Sequence, residues 1–130
     1  MASKESVYSR DWFDKARRDI GRVENLLRAG DDLEDAGFHL QQAVEKYLKG
    51  YLLSKGWKLE RTHDLVDLLN SAVKHEPFFE QFRTVFQQVT EYYIEERYPS
   101  LVYSRLTKEE IREGLGKAKE LASKILQGFQ

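Results

Sequence analysis

The feature that most constrains this chain is the spacing of its apolar residues, which recur at three- and four-residue intervals through most of its length. This spacing lines apolar side chains along one face of an α-helix. No stretch alternates apolar and polar residues over several positions, as a half-buried strand would. We therefore expect an all-α protein, an up-and-down helical bundle of four to five helices. The predicted helices cover about 10–29, 32–55, 62–74 and 77–96, and a last one starts at 107.

Residues that favour helix ends flank these segments. Short polar side chains accept backbone N–H groups at helix starts, and Gly readily adopts the left-handed conformation that ends a helix. Thr107 and Glu110 have the spacing of a capping box, and Pro77 suits a first turn. The other predicted caps are Ser9, Asp31 or Asp32, and Thr62 at starts, and Gly30 and Gly56 at ends. The short Gly-Asp-Asp link predicts an antiparallel hairpin of the first two helices.

Length and composition fit one small domain. The chain has 130 residues, a net charge of −1 and no Cys, so disulfides and Cys-based metal sites are excluded. We expect residues 1–9 to be a flexible N-terminus and 10–130 to be a single helical domain. No window approaches the roughly 18 apolar residues of a membrane span, and we expect a cytoplasmic protein. The three histidines form no HExxH or i,i+4 pair, so we expect no metal and no cofactor.

The second predicted helix carries polar residues where packing favours apolar ones. On a helical wheel Gln41 falls inside the apolar arc, and Glu45 falls just beyond its edge. A buried amide or carboxylate without partners costs about 1–3 kcal/mol or more. One interpretation is a wide helix face with a polar border. The other is a specific polar network or an interface with a neighbouring helix or subunit.

The fourth predicted helix ends in a charged residue followed by Tyr98 and Pro99. The residue before a proline is pushed out of helical geometry, so the helix should end near Arg97. One interpretation of Arg97 is a C-terminal charge favoured by the helix dipole and paired with Glu45 or Glu96. The other is a contact with an anion or phosphate, for which the guanidinium offers a rigid fork of donors.

Cationic residues cluster in two places, which are either solvated faces or the lining of a groove for RNA or a nucleotide. One cluster lies on the first helix, and the other lies late in the second helix and after it. Their members are Lys15, Arg17, Arg18 and Arg22, and then Lys46, Lys49, Lys55, Lys58 and Arg61. Near the second cluster, His63 follows Thr62 and most simply belongs to a helix start that packs on helix two. No Ser/His/Asp triad, Walker loop or dinucleotide fingerprint is present.

Three motifs give the chain a resemblance to the HEPN domain family over about residues 10–126. They are QQAVEKYLKGYL at 41–52, THDL at 62–65 and RYP at 97–99. The resemblance implies a bundle of four to five helices that forms a homodimer or pairs with a minimal nucleotidyltransferase. It also implies nucleotide or substrate binding and, in many members, metal-independent RNA cleavage.

The chain departs from the cleaving members at one position. Those members carry an Arg and, four to six residues further on, a His, whereas residues 102–104 here are Val102, Tyr103 and Ser104. No His follows His75, and a tyrosine phenol is a poor substitute because it titrates near pH ~10. We therefore expect a non-catalytic module that binds a nucleotide, RNA or a partner protein.

The resemblance carries Arg97 over as a polar-site residue. Glu45, Lys46 and His63 match typical motif positions without an assigned role. The expected ligand-binding residues are Arg97, Tyr98, Gln41, Glu45, Lys46, Lys49 and His63. They should surround a groove between helix two and the start of helix three that takes a phosphate-bearing ligand.

Two alternatives stay open. One is a metal-independent RNase toxin of a toxin–antitoxin pair, in which Arg97 acts with Tyr98, Tyr103 or His63 of the partner subunit. The absent motif His argues against it. The other is a purely structural or dimerisation protein whose interface is the aromatic stripe of helix four.

Overall fold

The computed structural model describes residues 8–30, 32–58, 62, 64–97 and 106–128, with only the helical backbone for 92–97. Over these residues it contains five α-helices, one 3-10 helix and no strand, which confirms the expected all-α bundle. The elements are α1 (Ser9–Ala29), α2 (Leu33–Ser54), α3 (Leu65–His75), the 3-10 helix (Pro77–Phe82), α4 (Arg83–Arg97) and α5 (Lys108–Gln127).

Helices α1 and α2 form the predicted antiparallel hairpin. The N-terminal end of α1 lies against the C-terminal half of α2, where the Ser9 hydroxyl donates a hydrogen bond to the Gly50 carbonyl at 2.7 Å. The rings of Phe13 and Tyr47 stack with centroids 6.1 Å apart. A Cβ at Gly50 would lie 2.5 Å from the Phe13 ring, so the absence of a side chain there allows this close packing.

Helix α2 is the central element, since it packs against each of the other four α-helices. Helix α5 crosses it closely at Gly114, where a Cβ would lie 2.6 Å from the Leu40 side chain. Burial of this apolar surface supplies most of the stabilising free energy. The fully buried α2 residues in the core include Ala36, Leu40, Ala43, Val44, Leu48 and Leu52.

The aromatic stripe predicted for helix four belongs to the core in its described part. Phe82, Phe86 and Val89 are each 1% exposed or less, and Phe79 is fully buried beside them. The Phe82 and Phe86 rings stack with centroids 5.5 Å apart. The interpretation of this stripe as a dimer interface is therefore wrong for these residues, because the protomer's own helices cover them.

Several helix ends differ from their predicted positions. Tyr8, not Ser9, precedes the first helical residue, and the Ser9 hydroxyl is engaged by α2 instead. Asp64 caps α3 in place of Thr62, because its carboxylate reaches two backbone N–H groups of the first turn. The segment from Pro77 begins as a 3-10 helix and becomes α-helical at Arg83.

Other predicted ends are confirmed. Asp32 caps α2 by accepting from the Asp35 N–H, and it adopts a left-handed φ of 44°. Gly30 ends α1 with a φ of 70°, which is a conformation that glycine adopts without steric cost. Thr107 and Glu110 form the predicted capping box at the start of α5.

Candidate functional site

A row of polar side chains is buried along α2. Gln41, Glu45 and Lys49 stand four residues apart, so they lie one above another on the same helix face. They are 0%, 3% and 2% exposed. The Gln41 amide donates to one Glu45 oxygen at 3.0 Å, and the Lys49 ammonium donates to the other at 2.8 Å. Gln41 and Glu45 therefore belong to a specific polar network and not to a polar border.

The Lys49 ammonium completes this network beneath an aromatic ring. It lies 5.4 Å from the ring centroid of Trp12, which α1 contributes and which is itself buried. Of the two interpretations of its cationic cluster, the solvated face is therefore wrong for Lys49. The Lys49 side chain lies on the buried face of α2, because it follows Glu45 by four residues and packs beside Trp12.

Such a network carries an energetic cost. Taking an ammonium and a carboxylate out of water costs on the order of several kcal/mol per ion. The attraction between the two ions offsets that cost only when their geometry is good. The 2.8 Å hydrogen bond and the Gln41 amide provide this geometry. Apolar side chains of similar size would stabilise the fold about as well. Stability alone therefore does not explain why α2 carries charges here.

A second polar cluster joins α1 to α2 around Asp19, which is buried on α1. The Lys46 ammonium donates to one Asp19 oxygen at 2.6 Å, and His39 Nδ1 lies 2.8 Å from the other. The second His39 nitrogen lies 3.5 Å from a carboxylate oxygen of Asp35. Lys46 is thus engaged in a link between two helices and is about one-fifth exposed.

Sequence reasoning missed Asp19 and His39 as polar-cluster residues, although a signal for Asp19 exists. Asp19 stands three residues after Ala16 and four before Val23, so it falls on the apolar stripe of α1. The same argument that singled out Gln41 applies to it. For His39, no comparable departure from the helical pattern is visible in the sequence.

The direction of α4 against α2 follows from two contacts at different levels of the bundle. Near one end the rings of Tyr51 and Phe79 have centroids 4.7 Å apart. Further along, Leu40 and Val89 both lie within 4 Å of the Cβ position of Gly114. Between these two levels of the bundle, the residue number falls from 51 to 40 along α2 and increases from 79 to 89 along the 3-10 helix and α4. The two segments are therefore antiparallel.

This direction separates the expected ligand-binding residues. At about 1.5 Å per residue, Arg97 lies about 12 Å beyond Val89, toward the N-terminal end of α2. Lys49 lies about 13 Å from Leu40 in the opposite direction. Gln41, beside Leu40, stands between them. The backbone positions of Arg97 and Lys49 therefore lie toward opposite ends of α2 within one protomer.

The other expected site residues lie outside the described part of the chain. These are Tyr98 and His63, together with the side chain of Arg97, whose backbone ends α4. Their role in ligand binding stays a prediction, as it does for Gln41, Glu45, Lys46 and Lys49.

The described ranges omit 1–7, 31, 59–61, 63, 98–105 and 129–130. Within the described ranges, no group of three His, Asp or Glu side chains is arranged to hold a metal ion. None of the described helices is long and apolar enough to cross a membrane.

These features define the class of protein: a helical bundle around a long central helix that carries a buried row of polar and charged residues. The HEPN domain family model matches residues 9–127, which is nearly the whole chain. The chain therefore belongs to the HEPN domain family, and the resemblance seen in its three motifs is confirmed.

A solved structure has a similar fold. The crystal structure of TT1696 from Thermus thermophilus matches with a TM-score of 0.75 and 28% sequence identity. The match covers 92% of this chain and 96% of that one. No curated protein matches the chain significantly.

Proposed function

We propose that this HEPN domain is a cytoplasmic, non-catalytic binding module. It acts as a homodimer or beside a minimal nucleotidyltransferase. It takes a phosphate-bearing ligand, a nucleotide or RNA, at the end of the bundle where α4 reaches Arg97.

The observation that carries this proposal is the occupation of both Glu45 oxygens. One accepts from Gln41 and the other from Lys49, so this buried carboxylate is committed to the fold. A general base needs a free acceptor with a pKa near the operating pH. The sequence also has no His after His75 to supply one next to Arg97.

Arg97 supports the ligand part of the proposal. A guanidinium forms two parallel charge-assisted hydrogen bonds to a phosphate, which a lysine does not do. Among the described elements, α4 packs directly against the central helix α2.

The test is the binding of fluorescent mixed-sequence RNA and of a fluorescent ATP analogue, followed by anisotropy in the presence of a chelator. Arg97→Ala should weaken binding by about tenfold or more, because it removes a bidentate charge-assisted contact. Circular dichroism should show an unchanged helix content.

The matched control is Arg83→Ala, which removes the same charge from the same helix. Arg83 pairs with Glu80 on the surface, more than a dozen residues before Arg97. This control should bind both probes as the wild type does. Equal binding by Arg97→Ala and wild type, or no binding of either probe by wild type, contradicts the ligand part of the proposal.

The RNase alternative predicts a different result in the same tubes. Labelled RNA would shorten in the presence of the chelator, and Arg97→Ala would abolish the shortening. A second residue acting as the base, such as Tyr103 or His63 of the partner subunit, would then have to be sought by substitution.

A further inference from the structure

A cleft lies at the end of the bundle opposite to Arg97, where the C-terminal ends of α2, α3 and α5 meet. Its volume is about 520 Å³, which falls within the range of small-molecule pockets. The last turns of α2 and α5 line it, and so does Glu76, which caps the C-terminal end of α3. The charged and aromatic side chains that line it are those of Tyr51, Lys55, Glu76, Phe78 and Lys124.

Tyr51 brings an acid and a cation of this cleft together. Its hydroxyl donates a hydrogen bond to one oxygen of the Glu76 carboxylate, and the Lys55 ammonium lies 5.5 Å from the centroid of its ring. Tyr51 is 4% exposed, so the packed core fixes the position of the ring. Glu76 and Lys55 therefore lie beside the same side chain, although among the described residues they do not pair with each other.

Both charged groups have unused hydrogen-bonding capacity. Among the described residues, no donor reaches the second oxygen of Glu76. The Lys55 ammonium contacts only the face of a ring, and this contact is weak at an exposed site. The last carbonyls of α2 do not occupy the ammonium, because the Lys55 backbone N–H reaches the Leu52 carbonyl at 2.9 Å and the Gly56 N–H reaches that of Leu53 at 3.2 Å.

The three helix ends at this cleft favour a ligand that carries both signs of charge. Unpaired carbonyls give the C-terminal end of a helix a partial negative charge. Together with the Glu76 carboxylate they attract an ammonium group and disfavour a ligand with negative charge alone. The Lys55 ammonium, in contrast, attracts an anion. A ligand with an ammonium next to a carboxylate satisfies both groups.

The wall beside these two groups is apolar. Phe78 stacks on the fully buried Phe79 with ring centroids 4.3 Å apart, which fixes its position at the cleft. Ile125, which is 3% exposed, belongs to the same lining. The Lys124 ammonium lies 5.8 Å from the Phe78 ring centroid on an exposed side chain, so it is free to move off the ring. This wall suits an apolar side chain, and an aromatic one in particular.

We propose that this cleft binds a free α-amino acid with an apolar side chain. Glu76 accepts from its ammonium, Lys55 donates to its carboxylate, and its side chain packs against Phe78. The site lies at the end of the bundle away from Arg97 and does not depend on the function proposed there.

The test is isothermal titration calorimetry with L-phenylalanine as the probe. Phenylethylamine lacks the carboxylate, and phenylpropionate lacks the ammonium. Each should bind the wild type about tenfold or more weakly than phenylalanine does, because one charge-assisted contact is lost. These comparisons use the wild-type protein alone, so they do not depend on the folding of a variant.

Two variants assign the contacts to residues. Lys55→Met should bind phenylalanine about tenfold or more weakly, and it should bind phenylethylamine as the wild type does. Glu76→Gln, which keeps an acceptor for the Tyr51 hydroxyl, should also bind phenylalanine about tenfold or more weakly. It should bind phenylpropionate as the wild type does. Circular dichroism checks that both variants keep their helix content.

The matched controls are Lys15→Met and Glu113→Gln, which remove the same charges from exposed positions elsewhere. Lys15 also lies over an aromatic ring, 5.7 Å from the centroid of Trp12. Both controls should bind phenylalanine like the wild type. Three results would overturn the proposal: no binding by wild type at millimolar phenylalanine, equal affinity for phenylalanine and either analogue, or unchanged affinity in both cleft variants.

Arg97→Ala separates this inference from the proposed function. It should leave the binding of phenylalanine unchanged, because Arg97 lies at the other end of the bundle. If Arg97→Ala abolishes that binding and both cleft variants keep it, the amino-acid site in the cleft is wrong and the ligand lies at the Arg97 end.

Discussion

Glu45 and Lys46 are neighbours in the sequence, yet they belong to two different polar clusters of α2. Glu45 pairs with Lys49 on the buried face of the helix, where both side chains are less than 5% exposed. Lys46, about 100° further round the helix, pairs with Asp19 of α1 and keeps about one-fifth of its side chain exposed. The first cluster lies along one helix, while the second connects two. Burial should therefore make the first far more sensitive to the loss of a single charge.

The largest effect should come from Lys49→Met. The methionine fills the space of the lysine stem, but it leaves the Glu45 carboxylate buried without its cation. We expect the free energy of unfolding to fall by about 3–5 kcal/mol, measured by urea denaturation monitored by circular dichroism. A loss below about 1 kcal/mol would show that solvent reaches Glu45.

Adding Glu45→Gln to this variant should restore most of the loss. Glutamine has the shape of glutamate, removes the unpaired charge and still bonds to Gln41. The double variant should lie within about 2 kcal/mol of wild type, because replacing both partners of a buried pair is often nearly neutral. A double variant as unstable as Lys49→Met would mean that the lysine acts through packing against Trp12 and not through charge.

Asp19→Ala should have an intermediate effect. Asp19 accepts from Lys46 and contacts His39, so its loss leaves two polar groups of α2 without their partner on α1. We expect a loss of about 1–3 kcal/mol in the same denaturation experiment. A loss of stability smaller than that of an exposed control such as Lys74→Ala would show that Asp19 does not stabilise the packing of α1 against α2.

Lys46→Met should cost about 1 kcal/mol or less, since the ammonium is itself partly exposed and Asp19 keeps its contact with His39. The cost should shrink further at high salt, which screens the pair. Comparing this variant with Lys49→Met at low and high salt measures the difference between the two clusters directly. If both variants lose the same free energy of unfolding, the two clusters do not differ in their sensitivity to the loss of a charge.

The smallest effect concerns the hydrogen bond from the Tyr51 hydroxyl to Glu76. Burial, and then the hydrogen bond to Glu76, raise the pKa of Tyr51 above its usual value of 10.0, so above pH about 10 the unfolded chain loses a proton that the folded chain keeps. Stability contributed by the protonated phenol is thus complete below pH about 10 and is lost as the pH rises further. Tyr51→Phe should show a shallower alkaline loss of stability than wild type.

The matched control for that pH profile is Tyr8→Phe, because Tyr8 is 71% exposed. Its profile should follow the wild type. A Tyr51→Phe profile that also follows the wild type would show that the Tyr51 phenol titrates as it does in the unfolded chain.

Helical periodicity was sufficient to predict the bundle, because each helix here presents one apolar stripe to α2. The caps show where such reasoning stops. Thr62 and Asp64 are both good capping residues, and only the tertiary position of α3 decides that Asp64 is used. Pro77 correctly marked a helix start, but the 3-10 geometry that follows depends on how Phe79 and Phe82 pack.

The candidate site was predicted less completely. The misfit of Gln41 and Glu45 on the wheel left a polar border and a polar network or interface as alternatives, and the structure shows the network. Lys49 was placed in a cationic cluster that was either a solvated face or a groove lining, because lysines are almost always exposed. Instead it is buried beside Trp12 of another helix. The separation of Arg97 from Lys49 depends on the direction of α4, which no local pattern encodes.

The measurement that tests the central claim most directly is the incubation of labelled mixed RNA with the purified protein in a chelator, with light scattering on the same sample. Wild type and Arg97→Ala are compared side by side. If the protein is a binding module, the RNA stays intact with both proteins. Light scattering then gives the mass of a dimer, or that of a monomer if the protein acts beside a nucleotidyltransferase. Cleavage by wild type that disappears in Arg97→Ala would contradict it and make the protein a nuclease.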